Sequence, residues 1–377
     1  MAPTPTEDEI FREALKCLSR HFYRPELLKE AGLSGTKMAR HTGNSISDAL
    51  ARLGSSHTIR FTADQIAYYE ALAIYASAVS PRKKLRELFP PNGIVTYDGI
   101  GVRTLSLNGR VFVTAAYHSG PAERAGIVQG DEIISIDDSI YSEINSFAGK
   151  AGCPVLVLMR SQPDGPERSI TVIPERIEPN DMFEKALSNS VRSFKENERT
   201  IGYIRVWSYA GERYHHLVQT ELSTGKLAEA HALILDLRGG WGGASPDFVN
   251  LYCGSAPNMV YVDRSGARRF ASYRWGRPVI VLIDGNTRSG KEVLAFGLQR
   301  AGATLVGQPT AGAVLGAKTF LLSDGSLLAV ATHDVLVDGE RLEGRGLQPD
   351  IFVPFSLPLS EGRDPTLRAA IDAAMRT

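Results

Sequence analysis

Ser289 stands where an apolar strand gives way to an apolar helix. Val279–Ile283 is an unbroken aliphatic run, Asp284–Thr287 is a polar turn, and Arg288-Ser289-Gly290-Lys291-Glu292 leads into Val293–Leu298. A short apolar run bounded by turn residues reads as a buried strand. A serine at the start of the helix that follows has unpaired backbone N–H groups and the positive end of the helix dipole beside it. That setting suits an attacking hydroxyl. Gly290 would let a substrate carbonyl approach the backbone closely. The same placement also describes an ordinary N-cap with a turn glycine behind it, and Ser289 alone does not choose between the two.

Three other segments carry residue types that such a serine would need. Leu53-Gly54-Ser55-Ser56-His57-Thr58 offers an imidazole, Leu235–Gly243 (Leu-Asp-Leu-Arg-Gly-Gly-Trp-Gly-Gly) offers free backbone N–H groups after a strand, and Leu342–Asp350 offers Glu343. Histidine is the natural general base because its ordinary pKa of about 6.5 sits near neutrality. Taken singly, His57 could be a satisfied surface or core histidine, and Glu343 could pair with Arg341 or Arg345. Lys291 is only two positions from Ser289 on one helix, where side chains do not face each other. His215, His216 and His333 lack carboxylates at ligand spacing, so neither a metal nor an organic cofactor is expected.

The elements that must position these residues divide the chain in three. Residues 1–91 read as a helical region, with helical spacing over Glu9–His21, Ile46–Leu53 and Ala63–Val79 and punctuation at Pro81 and Pro90-Pro91-Asn92-Gly93. Residues 92–176 switch to short strands around an Asn108-Gly109 hairpin turn. Residues 177–377 alternate strand and helix, the pattern of an α/β domain: helices at Asp181–Ser193, Glu212–Lys226 and 291–301, strands at Ile201–Trp207, Ala232–Leu237, Val279–Ile283 and Thr304–Val306, and a β-rich end from Thr319 to Val353.

Bulk properties exclude several classes. The 377 residues include 42 basic and 42 acidic side chains, so net charge is zero and no bulk attraction to nucleic acid or an acidic membrane exists. The Arg82-Lys83-Lys84 cluster reads as a solvated helix face. Three scattered cysteines, Cys17, Cys153 and Cys253, suggest neither zinc nor a disulfide framework. The polar, acidic N-terminus is no signal peptide, and no apolar run is long enough to span a bilayer. A soluble, cytoplasmic protein is the expectation for the chain as it stands, although one trimmed of a leader would look the same.

Residues 92–176 resemble a PDZ domain in the permuted form of bacterial proteases. Asp98-Gly99-Ile100-Gly101-Val102 corresponds to the carboxylate-binding loop, and Ser119-Gly120-Pro121-Ala122, Ala125-Gly126 and Gly130-Asp131-Glu132-Ile133 to the conserved core of that domain. Gly99, Ile100, Gly101 and Val102 would bind the end of a peptide by backbone N–H groups, and the neighbouring strand edge would accept the chain before it.

Across about 45–355 the chain resembles the carboxyl-terminal processing (tail-specific) protease family. The matching segments are Leu235–Gly243, Thr287–Glu292, Gly307-Gln308-Pro309-Thr310-Ala311-Gly312 and Gly346-Leu347-Gln348-Pro349-Asp350. Many members use a Ser–Lys dyad whose lysine follows the Thr-x-Gly turn. Here that position is Ala313, followed by Val314, and Lys318 lies further on. The resemblance is therefore closer to the tricorn-type branch, which uses an early Ser-His pair and a late glutamate. It implies Ser289 as nucleophile, His57 as base, Ser56 and Glu343 as its orienters, and Gly290 and Gly242 as oxyanion donors. Gly290 stands where alanine is usual, and Trp241 where a small residue is common; Trp241 would either line the cleft or pack. The implied fold is α/β, a Clp protease/crotonase-like core with an inserted PDZ domain and an N-terminal helical region.

The expected function is a serine endopeptidase that acts through an acyl-enzyme on peptides or proteins with a free C-terminus. The alternatives are a non-catalytic peptide- or hydrophobic-ligand-binding protein on the same fold, and an esterase or transacylase. Nucleic acid is not an expected partner. The resemblance leaves a homo-oligomer open, because relatives of this fold often assemble.

Overall fold

The structure, a computed structural model, describes residues 5–33, 46–75, 82–163, 165–196, 198–254, 259–271 and 274–377. Pro81 and the part of the expected helix 63–79 beyond Tyr75 lie outside these residues.

Five aliphatic side chains in a row predict a strand covered on both faces, and Val279–Ile283 is fully buried along its length. It lies in a six-stranded sheet in the order Ile351–Phe352, Thr304–Gly307, Val279–Ile283, Ala232–Asp236, Arg199–Arg205, Arg192–Glu196. All neighbours are parallel except the last pair. Alternate residues serve opposite layers. Leu233, Leu235, Val279, Val281 and Ile283 share a core with Leu294, Ala295 and Leu298 of the helix Gly290–Arg300 and with Val218 and Leu222 of Glu212–Ser223. Ile234, Ile280, Leu282 and Val306 pack instead against Ala370, Ile371 and Ala374. Those residues belong to a C-terminal helix, Pro365–Ala374, that the pattern reading did not include.

A separate five-stranded antiparallel sheet joins Val102–Leu107, Arg110–Ala116, Glu132–Ile136, Val155–Arg160 and Arg168–Val172 around its own core of Val113, Ile133, Phe147 and Val157. Asn108 and Gly109 both have positive φ, as a type I′ hairpin turn requires. The chain enters and leaves this unit through one short antiparallel pair, Tyr97↔Ile177 to Gly99↔Glu175. Entry and exit side by side are what an insertion needs.

The first ninety residues are not helical throughout. Ile59–Phe61 is a strand, antiparallel to Leu327–Asp334, which in turn pairs with Leu315–Leu321. Three residues are too few to show a period of two, so the reading of 1–91 as simply helical missed it. The helices Glu7–His21 and Ile46–Ala51 cover this sheet, burying Ile10, Leu18 and Ile46 with Leu328 and Val330. One core is thus built from the front and the back of the chain, and it sets residues 56–57 beside residue 343.

Candidate active site

The glycine-rich loop hangs from the end of the strand Ala232–Asp236. Asp236 is fully buried. Burial pushes its carboxyl up, but Arg238 and Arg205 outweigh that and hold it well below the usual carboxylate range. Arg238 donates to both Asp236 oxygens at 2.6–3.0 Å and to Asp364, before the C-terminal helix, at 2.8 Å. This clamp fixes where the loop begins. Gly239 N then donates to Asp284 Oδ1 at 3.0 Å, and Thr287 Oγ1 bonds both Asp284 and the carbonyl of Leu237. The glycine loop and the turn that leads to Ser289 are therefore one hydrogen-bonded block.

Ser289 is the N-cap of Gly290–Arg300 with φ 58° and ψ −132°. For a residue with a Cβ that conformation costs about 1–3 kcal/mol and persists only where the surroundings impose it. They do so here. Ser289 N donates to Ala313 O at 2.9 Å and to Glu292 Oε2 at 3.2 Å. Glu292, fully buried, also accepts from Thr310 Oγ1 at 2.5 Å and from Gly312 N and Ala313 N at 2.8 Å. A glutamate three residues after an N-cap serine is a readable capping signal, although the sequence assigned Glu292 no task.

Gly290 and Gly242 are glycines for steric reasons. A Cβ on Gly290 would fall 2.5 Å from Ala244 N and 2.6 Å from its carbonyl; one on Gly242 would fall 2.7 Å from Ser289 Cβ and 3.0 Å from Gly290 N. The space on the Cβ side of Gly290 is filled by Gly243-Ala244 of the glycine loop. Gly242 N donates to no acceptor among the described residues, and Gly290 N, first in its helix, has no intrahelical partner.

Ser56, His57 and Glu343 form a row. Ser56 Oγ is 2.8 Å from His57 Nδ1 and 2.8 Å from Glu343 Oε2, and Ser56 N donates to Glu343 Oε1 at 3.3 Å. Val314 N donates to Glu343 Oε2 at 2.7 Å. Arg341 pairs with Asp334 and Arg345 with Glu340, so neither takes the Glu343 carboxyl. An ionised carboxylate only accepts. The Ser56 hydroxyl proton therefore points to Glu343, Nδ1 of His57 carries the proton it donates to Ser56, and Nε2 is left with its lone pair. Burial and the nearby Arg288 guanidinium push the imidazole down to about 4, which keeps that lone pair free at neutral pH.

Two links join this row to Ser289. Ala313 accepts from Ser289 N while its neighbour Val314 donates to Glu343. Arg288, adjacent to Ser289, donates to Ser56 O at 2.7 Å. Arg288 carried no role in the sequence reading. Lys291 turns the other way: its fully buried Nζ donates to Gly239 O at 2.9 Å and Trp207 O at 3.4 Å, and burial pushes the amine down to about 7. Trp241 both packs edge-on to Phe61 and lines a cavity, and its Nε1 donates to Glu70 Oε2 at 2.7 Å. Among the other histidines, His215 stacks on Phe248 and His333 Nδ1 contacts Thr332 Oγ1.

The loop Gly99–Val102 turns its side chains inward, Ile100 and Val102 each 1% exposed. Ile100 N and Gly101 N donate to no acceptor among the described residues. The strand that follows, Val102–Leu107, is an outer strand of its sheet.

The site is thus an open parallel α/β sheet with a strained serine at a strand-to-helix turn and a glycine loop beside it. Residues 200–353 match the family model for Peptidase family S41. The chain is 30% identical over 274 residues to carboxyl-terminal-processing peptidase 2, chloroplastic, of Arabidopsis thaliana, covering 67% of this chain and 51% of the relative. It is 27% identical over 274 residues to the carboxy-terminal processing protease CtpA of Bacillus subtilis, covering 68% and 56%. It thus spans about half the length of the curated relatives it matches. Among solved structures, a photosystem II D1 C-terminal processing protease aligns over 97% of this chain and 99% of its own at a TM-score of 0.52 with 20% identity, and the tricorn protease over 98% and 36% at 0.51 with 16% identity. These matches relate the chain to peptidase family S41 and its carboxyl-terminal processing proteases. Among the described residues no helix is long and apolar enough to cross a membrane.

Proposed function

We propose that this protein is a serine endopeptidase with a tricorn-type Ser/His/Ser/Glu site on a Clp protease/crotonase-like core, working on peptides or proteins whose free C-terminus is held by a PDZ domain over residues 92–176. His57 Nε2 takes the Ser289 hydroxyl proton as Oγ bonds to the scissile carbonyl carbon. The oxyanion lies against Gly290 N and Gly242 N. His57 returns the proton to the leaving amine as the C–N bond breaks, and water repeats the sequence on the acyl-enzyme. Ile100 N and Gly101 N would hold the terminal carboxylate, and the free edge of Val102–Leu107 the residues before it.

The observation that supports this reading most is the position of Ser56 Oγ, 2.8 Å from both His57 Nδ1 and Glu343 Oε2. A serine wedged between imidazole and carboxyl fixes one tautomer, and that tautomer is the one a general base needs. Kinship with the carboxyl-terminal processing proteases points the same way. The test is peptide cleavage by the wild type and Ser289→Ala across substrates of varied C-terminal sequence. Cleavage that survives the substitution removes the site; absence of cleavage by the wild type favours a binding protein.

A further inference from the structure

A cavity of about 520 Å³ opens beside this site, between the five-stranded unit and the parallel sheet. Its floor is the carboxyl end of the parallel strands: Arg205, Arg238, Ile283 and Gln308 stand at or just past the ends of four neighbouring strands. Ligands of open α/β sheets bind in that crevice. Its rim includes Trp241, next to Gly242, and Arg288, next to Ser289.

The lining is unbalanced in charge. Four guanidinium groups face it, from Arg103, Arg205, Arg238 and Arg288, against one carboxylate, Asp284. Asp284 is already accepting from Gly239 N, Asn286 N and Thr287 Oγ1. Arg238 is satisfied by Asp236 and Asp364, and Arg103 by Glu70. The other two are held more loosely. The Arg205 guanidinium stands over the Trp207 ring at 3.7 Å and pairs with Asp236 only at 3.9 Å, and its Nε is buried without a hydrogen-bond partner among the described residues. Arg288 bonds the neutral carbonyl of Ser56 and forms no ion pair among the described residues. Trp207 Nε1 is a second buried donor without a partner among the described residues. Buried donors are nearly always satisfied, and an uncompensated buried charge is costly. Arg205 and Arg288, both partly buried, thus bring to the cavity positive charge that the neighbouring carboxylates take up only in part, and an incoming anion would complete it.

We infer that this cavity is a substrate subsite that takes the carboxylate of an aspartate or glutamate side chain close to the cleaved bond. A side chain fits better than a chain terminus. A group in this cavity is within a residue or two of Ser289, so a terminus there would leave an endopeptidase only a residue or two beyond the cut, and the loop at 99–102 is the place proposed for the terminus. The inference rests on the proteolytic reading for its context, but not for its test.

The test is a peptide series in which Asp replaces Asn, its isostere, at one position at a time around the cleaved bond, each peptide with a free and with an amidated C-terminus. Wild-type kcat/KM is measured alongside Kd for Ser289→Ala by fluorescence anisotropy. One position should favour Asp by about 30-fold or more, the usual scale for a buried charge partner, whether or not the terminus is amidated. Arg205→Gln should bring that ratio near one, and Arg205→Lys should restore part of it. If Arg205→Gln does not fold, Arg288→Gln carries the same comparison, since the Asp/Asn ratio is internal to each variant. A ratio near one at every position in a wild type that cleaves overturns the subsite and leaves the peptidase. A preference lost on amidation assigns the anion to the terminus and also overturns it. Asp-selective binding by Ser289→Ala with no cleavage by the wild type keeps the subsite and removes the peptidase.

Discussion

Ser56 Oγ and Glu343 Oε2 meet at 2.8 Å although 287 residues separate them in sequence. The contact exists because the helix Ile46–Ala51 and the strand Ile59–Phe61 pack with Leu327–Asp334 in one core. It converts a fold-level fact, front and back of the chain sharing a sheet, into a chemical one, a histidine held in a single tautomer.

Breaking that row should cost rate more than binding. A positioned general base contributes about 10²–10⁴-fold, so His57→Ala should lower kcat on that scale. Ser56→Ala and Glu343→Gln, which keep the ring and release its orientation, should lower kcat about tenfold or more with little change in KM. Steady-state kinetics decide; unchanged kcat in both would detach the row from catalysis.

The acid limb of kcat/KM should fall well below the ordinary histidine range, toward the value of about 4 that burial and Arg288 impose on His57. Arg288→Met removes a positive neighbour and should move the limb to higher pH. A limb near 7 that disappears in Lys291→Met would instead give the base to Lys291, whose amine is pushed down to about 7. The same shift enters stability. Between about 4 and the unfolded histidine value of about 6.5, the unfolded chain holds a proton that folded His57 refuses. Stability from this group is complete above that window and is lost as pH falls through it, so urea unfolding of His57→Gln should depend less on pH there.

Gly290→Ala and Gly242→Ala should each displace the glycine loop from the nucleophile, since their Cβ atoms would stand 2.5 Å from Ala244 N and 2.7 Å from Ser289 Cβ. Loss of one oxyanion donor costs about 10²–10³ in kcat. Kinetics on both variants, with thermal unfolding to confirm folding, check this; a kcat within twofold of wild type would mean the donors lie elsewhere.

Glu70 is fully buried and accepts from Arg103, Tyr117 OH and Trp241 Nε1, one partner from each side of the cavity and one from the same unit as Arg103. Removing one partner of a buried pair costs about 3–5 kcal/mol. Glu70→Ala should destabilise by about that amount in urea titration and lower kcat through the freed Trp241; a change under about 1 kcal/mol would show that the network is dispensable.

Much of this was legible in the sequence. The apolar runs at 232–237 and 279–283 announced buried strands, Asn108-Gly109 announced its hairpin, and the family resemblance named Ser56, His57 and Glu343, which the fold brings into hydrogen-bond contact. What was hidden depends on contacts with no local pattern. Ile59–Phe61 is too short to show a period. The helix Pro365–Ala374 is rich in alanine, and its burial follows only from the sheet face that awaits it. Glu70 and Arg288 carry no local signal of their places: the fold buries one and turns the other toward Ser56.

The central claim is that Ser289 is an activated nucleophile and His57 its base. The most direct measurement is labelling by a serine-directed acylating or phosphonylating reagent at neutral pH, followed by peptide mass mapping, on wild type and His57→Ala. The account predicts one adduct, on Ser289, forming far more slowly without the imidazole. An adduct on another serine, or equal labelling rates in the two proteins, would contradict it.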